Sequence, residues 1–220
     1  MSLKQQLDSF RDRFMAKAET DVVSAMLRAD AALNASGIAS LALKAGDMAP
    51  DFTLPDLRGG FVSLSRLLRA GPVVVSFYRG FWCPYCRLQL AALGANLREI
   101  AALGASLVAI SPQKISGAHP DIASDQVSFA LLRDRASKVA EAYGLVVELP
   151  HDLRKIYAQF GHALPQVNGD GGWMLPLPAT YVVDRDSRIA MSFVDIDYRN
   201  RLEPGSLIAA LTGLAGRERA

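Results

Sequence analysis

The chain reads as an α/β fold, a central mixed sheet with helices on both faces, preceded by a helical extension. Three observations carry that reading. A β-branched apolar run, Val73 to Phe77, is followed by an amphipathic helical stretch and a second apolar run, Ala105 to Ile110, which together make a βαβ unit with parallel strands. Two later runs, Ala179 to Asp184 and Ile189 to Val194, are joined by the turn signal Arg185-Asp186-Ser187 and read as an antiparallel pair. Helical spacing marks both ends of the chain. The expected division is residues 1–45 for the extension and 46–220 for the α/β domain.

In order, Leu3, Leu7, Phe10, Phe14, Val22, Met26 and Leu33 fall near one helical stripe with charges opposite, which predicts one long or two consecutive amphipathic helices bounded by Asn34 and Gly37. That stripe either packs on its own domain or pairs with a second copy, and a homodimer through these helices is the slightly favoured expectation. Pro50 and Pro55 confine the alternating Asp51 to Leu54 stretch to an edge. Arg58-Gly59-Gly60 turns it into a short strand at Phe61 to Leu64, with Ser65 as the expected helix cap for Arg66 to Arg69. After the second parallel strand, the polar stretch Gln113 to Gln126, with His119, reads as a loop or short helix. A short strand at Phe129 to Leu132, a helix over Asp134 to Tyr143, another over His151 to Phe160, and an irregular insertion at Leu164 to Trp173 lead into the antiparallel pair. Pro204 to Leu214 closes the chain as a helix.

With 220 residues, 50% hydrophobic and 21% charged, the chain is long enough to bury a sizeable core and is not compositionally disordered. Its net charge of +2 predicts neither a nucleic-acid nor an anionic-membrane partner. The first residues, MSLKQQLDSFRDRF, offer no signal-peptide core, and no apolar run approaches a bilayer span, so a cytoplasmic setting is expected.

The chemistry centres on Cys83-Pro84-Tyr85-Cys86, which holds the only two cysteines of the chain. The pair sits where the first parallel strand turns into its helix. Cys83 is expected at the N-cap and Pro84 at the first helical position, where a missing N–H costs nothing. The positive helix end then favours a thiolate on an exposed Cys83, and Cys86, one turn inward, is placed to resolve what forms on it. Such a pair cycles between dithiol and disulfide. Three other readings compete: half a zinc site, although no second pair exists and His119, His151 and His162 lack finger spacing; inert buried cysteines; and a structural disulfide. No metal or other cofactor is expected.

From Gly46 to Leu214 the motifs GDMAPDFTLPD, GPVVVSFYRGFWCPYC, LVAISPQ, FALLRDRASKVAEAYG and PATYVVDRDSRI together resemble the peroxiredoxin-like AhpC/TSA family of the thioredoxin fold. The resemblance implies hydroperoxide or disulfide chemistry at Cys83, with electrons from thioredoxin, glutaredoxin or glutathione. Typical peroxiredoxins carry Thr or Ser three residues before the attacking Cys, Pro seven before it, and an Arg just before the late strand. Here those positions are Gly80, Ser76 and Pro178. Arg79 is the candidate substitute for the missing Arg, polarising the peroxide, with a surface ion-pairing role as the competing reading. In thioredoxins and glutaredoxins the proline before the late strand is cis and faces the cysteines, so Leu177-Pro178 is expected cis beside Cys83. Cys-Pro-Tyr-Cys is the glutaredoxin dipeptide choice, and Trp82 and Phe81 are expected either as an apolar rim or as core. Three functions follow: a thiol peroxidase using Cys83 and Cys86, a disulfide oxidoreductase using the same pair, or a redox-sensing module without turnover.

Overall fold

The computed structural model describes residues 1–114 and 128–217. The expected loop around His119 lies largely outside the described residues. Two helices open the chain, α1 (Leu3–Lys17) and α2 (Thr20–Ala35). Ser2 begins α1 with a capping box, its side chain accepting from the Gln5 N–H while the Gln5 side chain accepts from the Ser2 N–H. The hairpin β1 (Thr53–Pro55) and β2 (Phe61–Ser63) is followed by α3 (Leu64–Leu68), which starts one residue before the expected cap. Ser63 stands at the N-cap, and the Ser65 N–H instead donates to Asp51 at 2.9 Å.

The central sheet, among the described residues, has the order β5-β4-β3-β8-β9. Its middle strand β3 (Val73–Phe77) is buried along its whole length, which is why it reads as a mostly apolar run, with Ser76 the one polar residue, rather than an alternating one. From β3 the chain passes through α4 (Pro84–Ala95) and α5 (Leu97–Ala102) to β4 (Ser106–Ser111), then to β5 (Ala130–Arg133). Strands β3, β4 and β5 run parallel, with Val75 opposite Val108 and Ala109 opposite Leu131. Next come α6 (Lys138–Ala142), β6 (Val146–Glu148), α7 (His151–Gln159), α8 (Leu164–Asn168) and β7 (Met174–Pro176). Antiparallel β8 (Ala179–Val183) returns along β3, pairing Phe77 with Ala179, and β9 (Ile189–Val194) completes the sheet before α9 (Pro204–Arg217).

Each face of the sheet carries a core. One gathers Val74, Leu90, Ile100, Leu107, Val182 and Leu211. The other gathers Val75, Phe77, Val108, Leu132, Tyr143 and Tyr181. Leu3 and Leu7 of α1 are buried in the first of these, and α1 lies against α4 while α2 lies against α7. Of the apolar stripe expected as a possible dimer face, Leu3 and Leu7 pack within the chain, and Phe10, Phe14, Val22, Met26 and Leu33 are half-buried. No helix among the described residues is long and apolar enough to cross a membrane.

Candidate active site

Strand β3 delivers Tyr78 and Arg79 at its carboxyl end, and the backbone then reverses at Gly80 to enter α4. Gly80 has φ +150°, and a Cβ there would lie 2.3 Å from Trp82 Nε1, so the turn is open only to glycine. The Gln113 side chain, from beyond β4, fixes the same turn by accepting from the Phe81 N–H at 2.7 Å. Cys83 is the N-cap of α4 with extended backbone, and Pro84 holds the first helical position as expected.

The sulfurs are free and hydrogen-bonded to each other. Their exposure differs from expectation. Cys83 is 2% exposed and Cys86 is fully buried. Cys83 nevertheless lines a cavity of about 250 Å³ whose walls include Phe10, Phe14 and Met26 of the extension, Trp82, Tyr157 and Phe160. The extension roofs the sulfur that the sequence places at a solvent-facing tip.

Charge is also distributed differently. Cys83 makes no side-chain cap bond, and the N–H groups of Cys86 and Arg87 both donate to the Cys83 carbonyl at 3.1 Å. Those donors are satisfied by backbone and do not serve the Cys83 sulfur. Burial pushes the Cys83 thiol up, and its hydrogen bond to Cys86 and the Cys86 charge push it further. Burial also opposes ionisation of Cys86, but the Cys83 hydrogen bond, Arg201 and the Arg79 backbone N–H together bring it down to about 5. The surroundings thus disfavour ionisation of Cys83 and favour that of Cys86.

Arg79, the candidate peroxide-polarising residue, is 6% exposed, which removes the surface ion-pair reading. Its guanidinium donates to the Tyr157 hydroxyl. It stacks within 5.1 Å of the Trp82 ring, 5.6 Å of Tyr157 and 4.4 Å of Tyr198. No carboxylate among the described residues lies within ion-pair distance of it. Trp82 lines the Cys83 cavity, as a rim residue would, with its ring 5.1 Å from that of His162. Burial lowers the His162 pKa, so this ring is neutral at physiological pH. Phe81 belongs to the core instead, 4% exposed.

Pro178 departs from expectation. No peptide bond among the described residues is cis, so Leu177-Pro178 is trans. The chain here runs extended from β7 into β8, with the Leu177 N–H donating to Leu145 at 2.7 Å, and no reversal calls for a cis bond. Pro178 lines a separate cavity of about 360 Å³, bounded also by Leu33, Leu153 and Leu177, of which neither cysteine is part. It shares with the Cys83 cavity only Arg79, Tyr157 and Tyr198.

The segment between β9 and α9 was not singled out in the sequence, yet it supplies Tyr198, Arg199 and Arg201. Arg199 bridges Asp30 of α2 and Asp197, both at 2.6 Å. Glu203 accepts from the N–H groups of Leu3 and Lys4 at 3.4 and 2.6 Å, holding the start of α1. Arg201, 7% exposed, places Nη2 3.6 Å from the Cys86 sulfur. The available signal was Asp-Tyr-Arg-Asn-Arg, two arginines among acids at a strand-to-helix connection.

This arrangement, a dithiol between two buried guanidiniums at the carboxyl end of β3, occurs in a chain with extensive relatives. Peroxiredoxin Bcp of Escherichia coli strain K12 is 34% identical over 103 residues, covering 47% of this chain and 65% of that protein. The chain thus spans just under two thirds of that relative. The chloroplastic peroxiredoxin Q of Sedum lineare is 32% identical over 160 residues, covering 72% of this chain and 70% of that one. The crystal structure of peroxidoxin BcpB from Mycobacterium tuberculosis superposes with a TM-score of 0.60 at 25% identity, over 78% of this chain and 98% of that one, and establishes the thioredoxin-like fold. The AhpC/TSA family model matches residues 45–192, and the chain belongs to the AhpC/TSA family.

Proposed function

We propose that the chain is a thiol peroxidase in which Cys83 and Cys86 reduce a hydroperoxide and become a disulfide. The carrying observation is the cavity that reaches Cys83, with Arg79 in its wall and Cys86 hydrogen-bonded to the same sulfur. Cys83 attacks the distal peroxide oxygen, forming an S–O bond as the O–O bond breaks and releasing the alcohol or water. Cys86 then displaces hydroxide from the sulfenic acid to form the S–S bond. Two electrons pass from the dithiol to the peroxide, and thioredoxin, glutaredoxin or glutathione returns them in the cytoplasm. Arg79 is proposed to hold a peroxide oxygen, since it is a buried cation at the cavity without a carboxylate partner. Trp82 bounds the substrate. Residues 1–45 act as a cover on the catalytic unit, 46–220, with Leu3 and Leu7 packed into it, and the half-buried rest of their apolar stripe is the face through which a homodimer would form.

The test is NADPH consumption with a thioredoxin or glutathione recycling system. Hydroperoxide-dependent consumption, abolished by Cys83→Ser, supports the reading. Strong reduction of insulin or glutathione mixed disulfides with negligible peroxide turnover rejects it in favour of a disulfide oxidoreductase, which the Cys-Pro-Tyr-Cys dipeptide suggests. An oxidation-dependent change in oligomeric state with no turnover of either kind leaves only the sensing module. Pro178, trans and lining the other cavity, lends the oxidoreductase reading no support.

A further inference from the structure

Arg201 is a buried cation that lacks the partner such a group needs. Its Nη1 donates to the Asn200 carbonyl at 2.8 Å, its Nε has no hydrogen-bond partner, and no carboxylate among the described residues lies within ion-pair distance. A guanidinium taken out of water without a counter-charge is unfavourable unless an anion completes it. The atom facing Nη2 is the Cys86 sulfur, at 3.6 Å. Its remaining neighbours are consistent with an anion at that position. The Arg79 backbone N–H, the Arg79 guanidinium and the hydrogen bond with Cys83 each favour the ionised form of Cys86. Tyr78, pushed up by burial and by the Cys86 charge, stays a neutral phenol. No acidic side chain is among the main influences on either sulfur.

We propose that Arg201 is the counter-cation of a resting Cys86 thiolate, and that Cys86 serves as proton carrier for Cys83 before it serves as resolving nucleophile. The proposal rests on the peroxidase reading for its second half. Geometry separates the two tasks: Cys83 lines the cavity that admits substrate, and Cys86 lies against Arg201 in the interior. As Cys83 attacks, its thiol proton moves to the Cys86 sulfur, the Cys83 S–O bond forms, and the O–O bond breaks. The departing alkoxide or hydroxide takes the proton back from Cys86. Cys86 is again a thiolate when it attacks the sulfenic sulfur, expelling hydroxide, which solvent protonates to water. One proton thus moves twice, and the sum is a thiol, a thiolate, a hydroperoxide and one solvent proton giving a disulfide, an alcohol and water. The low position of the Cys86 thiol agrees with this charge assignment.

Ultraviolet thiolate absorbance of the reduced full chain against pH tests the first half. Wild type and Cys83→Ser, whose hydroxyl still donates to Cys86, are expected to show a thiolate with a midpoint near 5. Cys86→Ser is expected to lose it. Arg201→Met raises the midpoint by about one unit or more, a tenfold fall in the ionisation constant, and Arg201→Lys restores part of the shift. The low midpoint persisting in Cys86→Ser and vanishing in Cys83→Ser overturns the assignment, as does an unchanged midpoint in Arg201→Met. Should Arg201→Met not fold, the two serine variants and Arg201→Lys still decide. Sulfenic acid mapping by mass spectrometry after one equivalent of hydroperoxide separates the two readings. Wild type that forms no Cys83–Cys86 disulfide with hydroperoxide rejects the peroxidase reading whatever the titration shows, whereas Cys86→Ser, which lacks the proton carrier, is expected to form sulfenic acid on Cys83 more slowly than wild type forms its disulfide. Sulfenic acid on Cys83 with the thiolate on the same sulfur rejects only the role of Arg201 and Cys86.

Discussion

Replacing Leu7 by Ala is expected to open the route to Cys83 without touching the cysteines. Leu3 and Leu7 are each 4% exposed and are the buried anchors of α1 in the core that also holds Cys83, Tyr85 and Cys86. Beyond them α1 is held by the edge contact of Phe10 on Tyr85, with centroids 5.1 Å apart, and by Glu203 at its first turn. A buried Leu→Ala change costs about 2–5 kcal/mol, and the lower end applies where a helix on the margin of a core can settle into the gap. A loss of about 2 kcal/mol in the docking of α1 raises the undocked population about 30-fold. Phe10 and Phe14 leave the cavity wall when α1 undocks, so alkylation of Cys83 by a bulky maleimide should accelerate by about that factor. A small haloacetamide, which fits the existing cavity, should change far less. A fall in melting temperature with no change in the bulky reagent's rate would refute the reasoning, because α1 would then stabilise the fold without controlling access.

Gly80→Ala, which puts a Cβ against Trp82 at φ +150°, should destabilise by roughly 1–3 kcal/mol and lower the melting temperature, whereas Gly205→Ala, with open space around it, should not. Arg79→Lys should fail to restore the peroxide turnover lost in Arg79→Met, measured in the coupled assay, because a lysine lacks the planar group stacked on Trp82, Tyr157 and Tyr198. Asp30→Ala should lower the denaturation midpoint by leaving half-buried Arg199 with Asp197 alone, and a second loss in Asp30→Ala with Leu7→Ala that simply adds to the first would show the two helices are held independently. The Cys86 thiol lies below its ordinary 9.0, at about 5, so the native state favours the thiolate. Its contribution to stability is present above the ordinary value and lost as pH falls towards 5. Denaturant titrations of the reduced wild type relative to Cys86→Ser should therefore show a stability difference that grows as pH rises from about 5 to 9, and a flat difference would refute the assignment.

How legible the chain is depends on whether a residue's role is set locally. Strands β3 and β8 are readable because both faces of each are buried and each run is apolar but for one small hydroxyl residue, Ser76 and Thr180, which Gln89 satisfies. The βαβ unit, the turn at Arg185 to Ser187 and the N-cap position of Cys83 follow from the same local signals. The helix expected over Asp134 to Tyr143 starts later, at Lys138. Ala136 and Ser137 have positive φ, and the buried Asp134 carboxylate accepts from the N–H groups of Val139 and Ala140 at 3.0 and 2.9 Å. Periodicity cannot show that an acid two turns upstream reaches forward to satisfy a helix end. Strands β6 and β7 lie on either side of two helices, so their pairing of Val147 with Leu175 is a product of tertiary closure and the sequence reading assigns no element to either, while the stretch it reads as irregular from Leu164 begins with the short helix α8. Arg201 is hidden for the same reason. Its partner is 115 residues away, and nothing near it in the chain announces a sulfur.

The connection between β9 and α9 also explains why the extension belongs to the chemistry. Tyr198 stacks on Arg79, Arg199 holds Asp30 of α2, Arg201 faces Cys86, and Glu203 holds α1. Residues that bind the cover thus alternate along one short segment with residues that face the redox pair. Arg199 and Glu203 share a short stretch of backbone with Tyr198 and Arg201, so displacing the first two contacts would shift the residues beside them. Docking of the extension and the electrostatic setting of Cys86 are therefore linked through shared backbone, with no need for direct contact between α2 and the inner sulfur. Under the proposed charge assignment, oxidation of Cys86 would remove the counter-ion of Arg201, which lies in the same segment as Arg199 and Glu203. In a site whose sulfurs are almost wholly covered, loss of that counter-ion thus supplies a proposed route by which disulfide formation would expose Cys83 to its reductant.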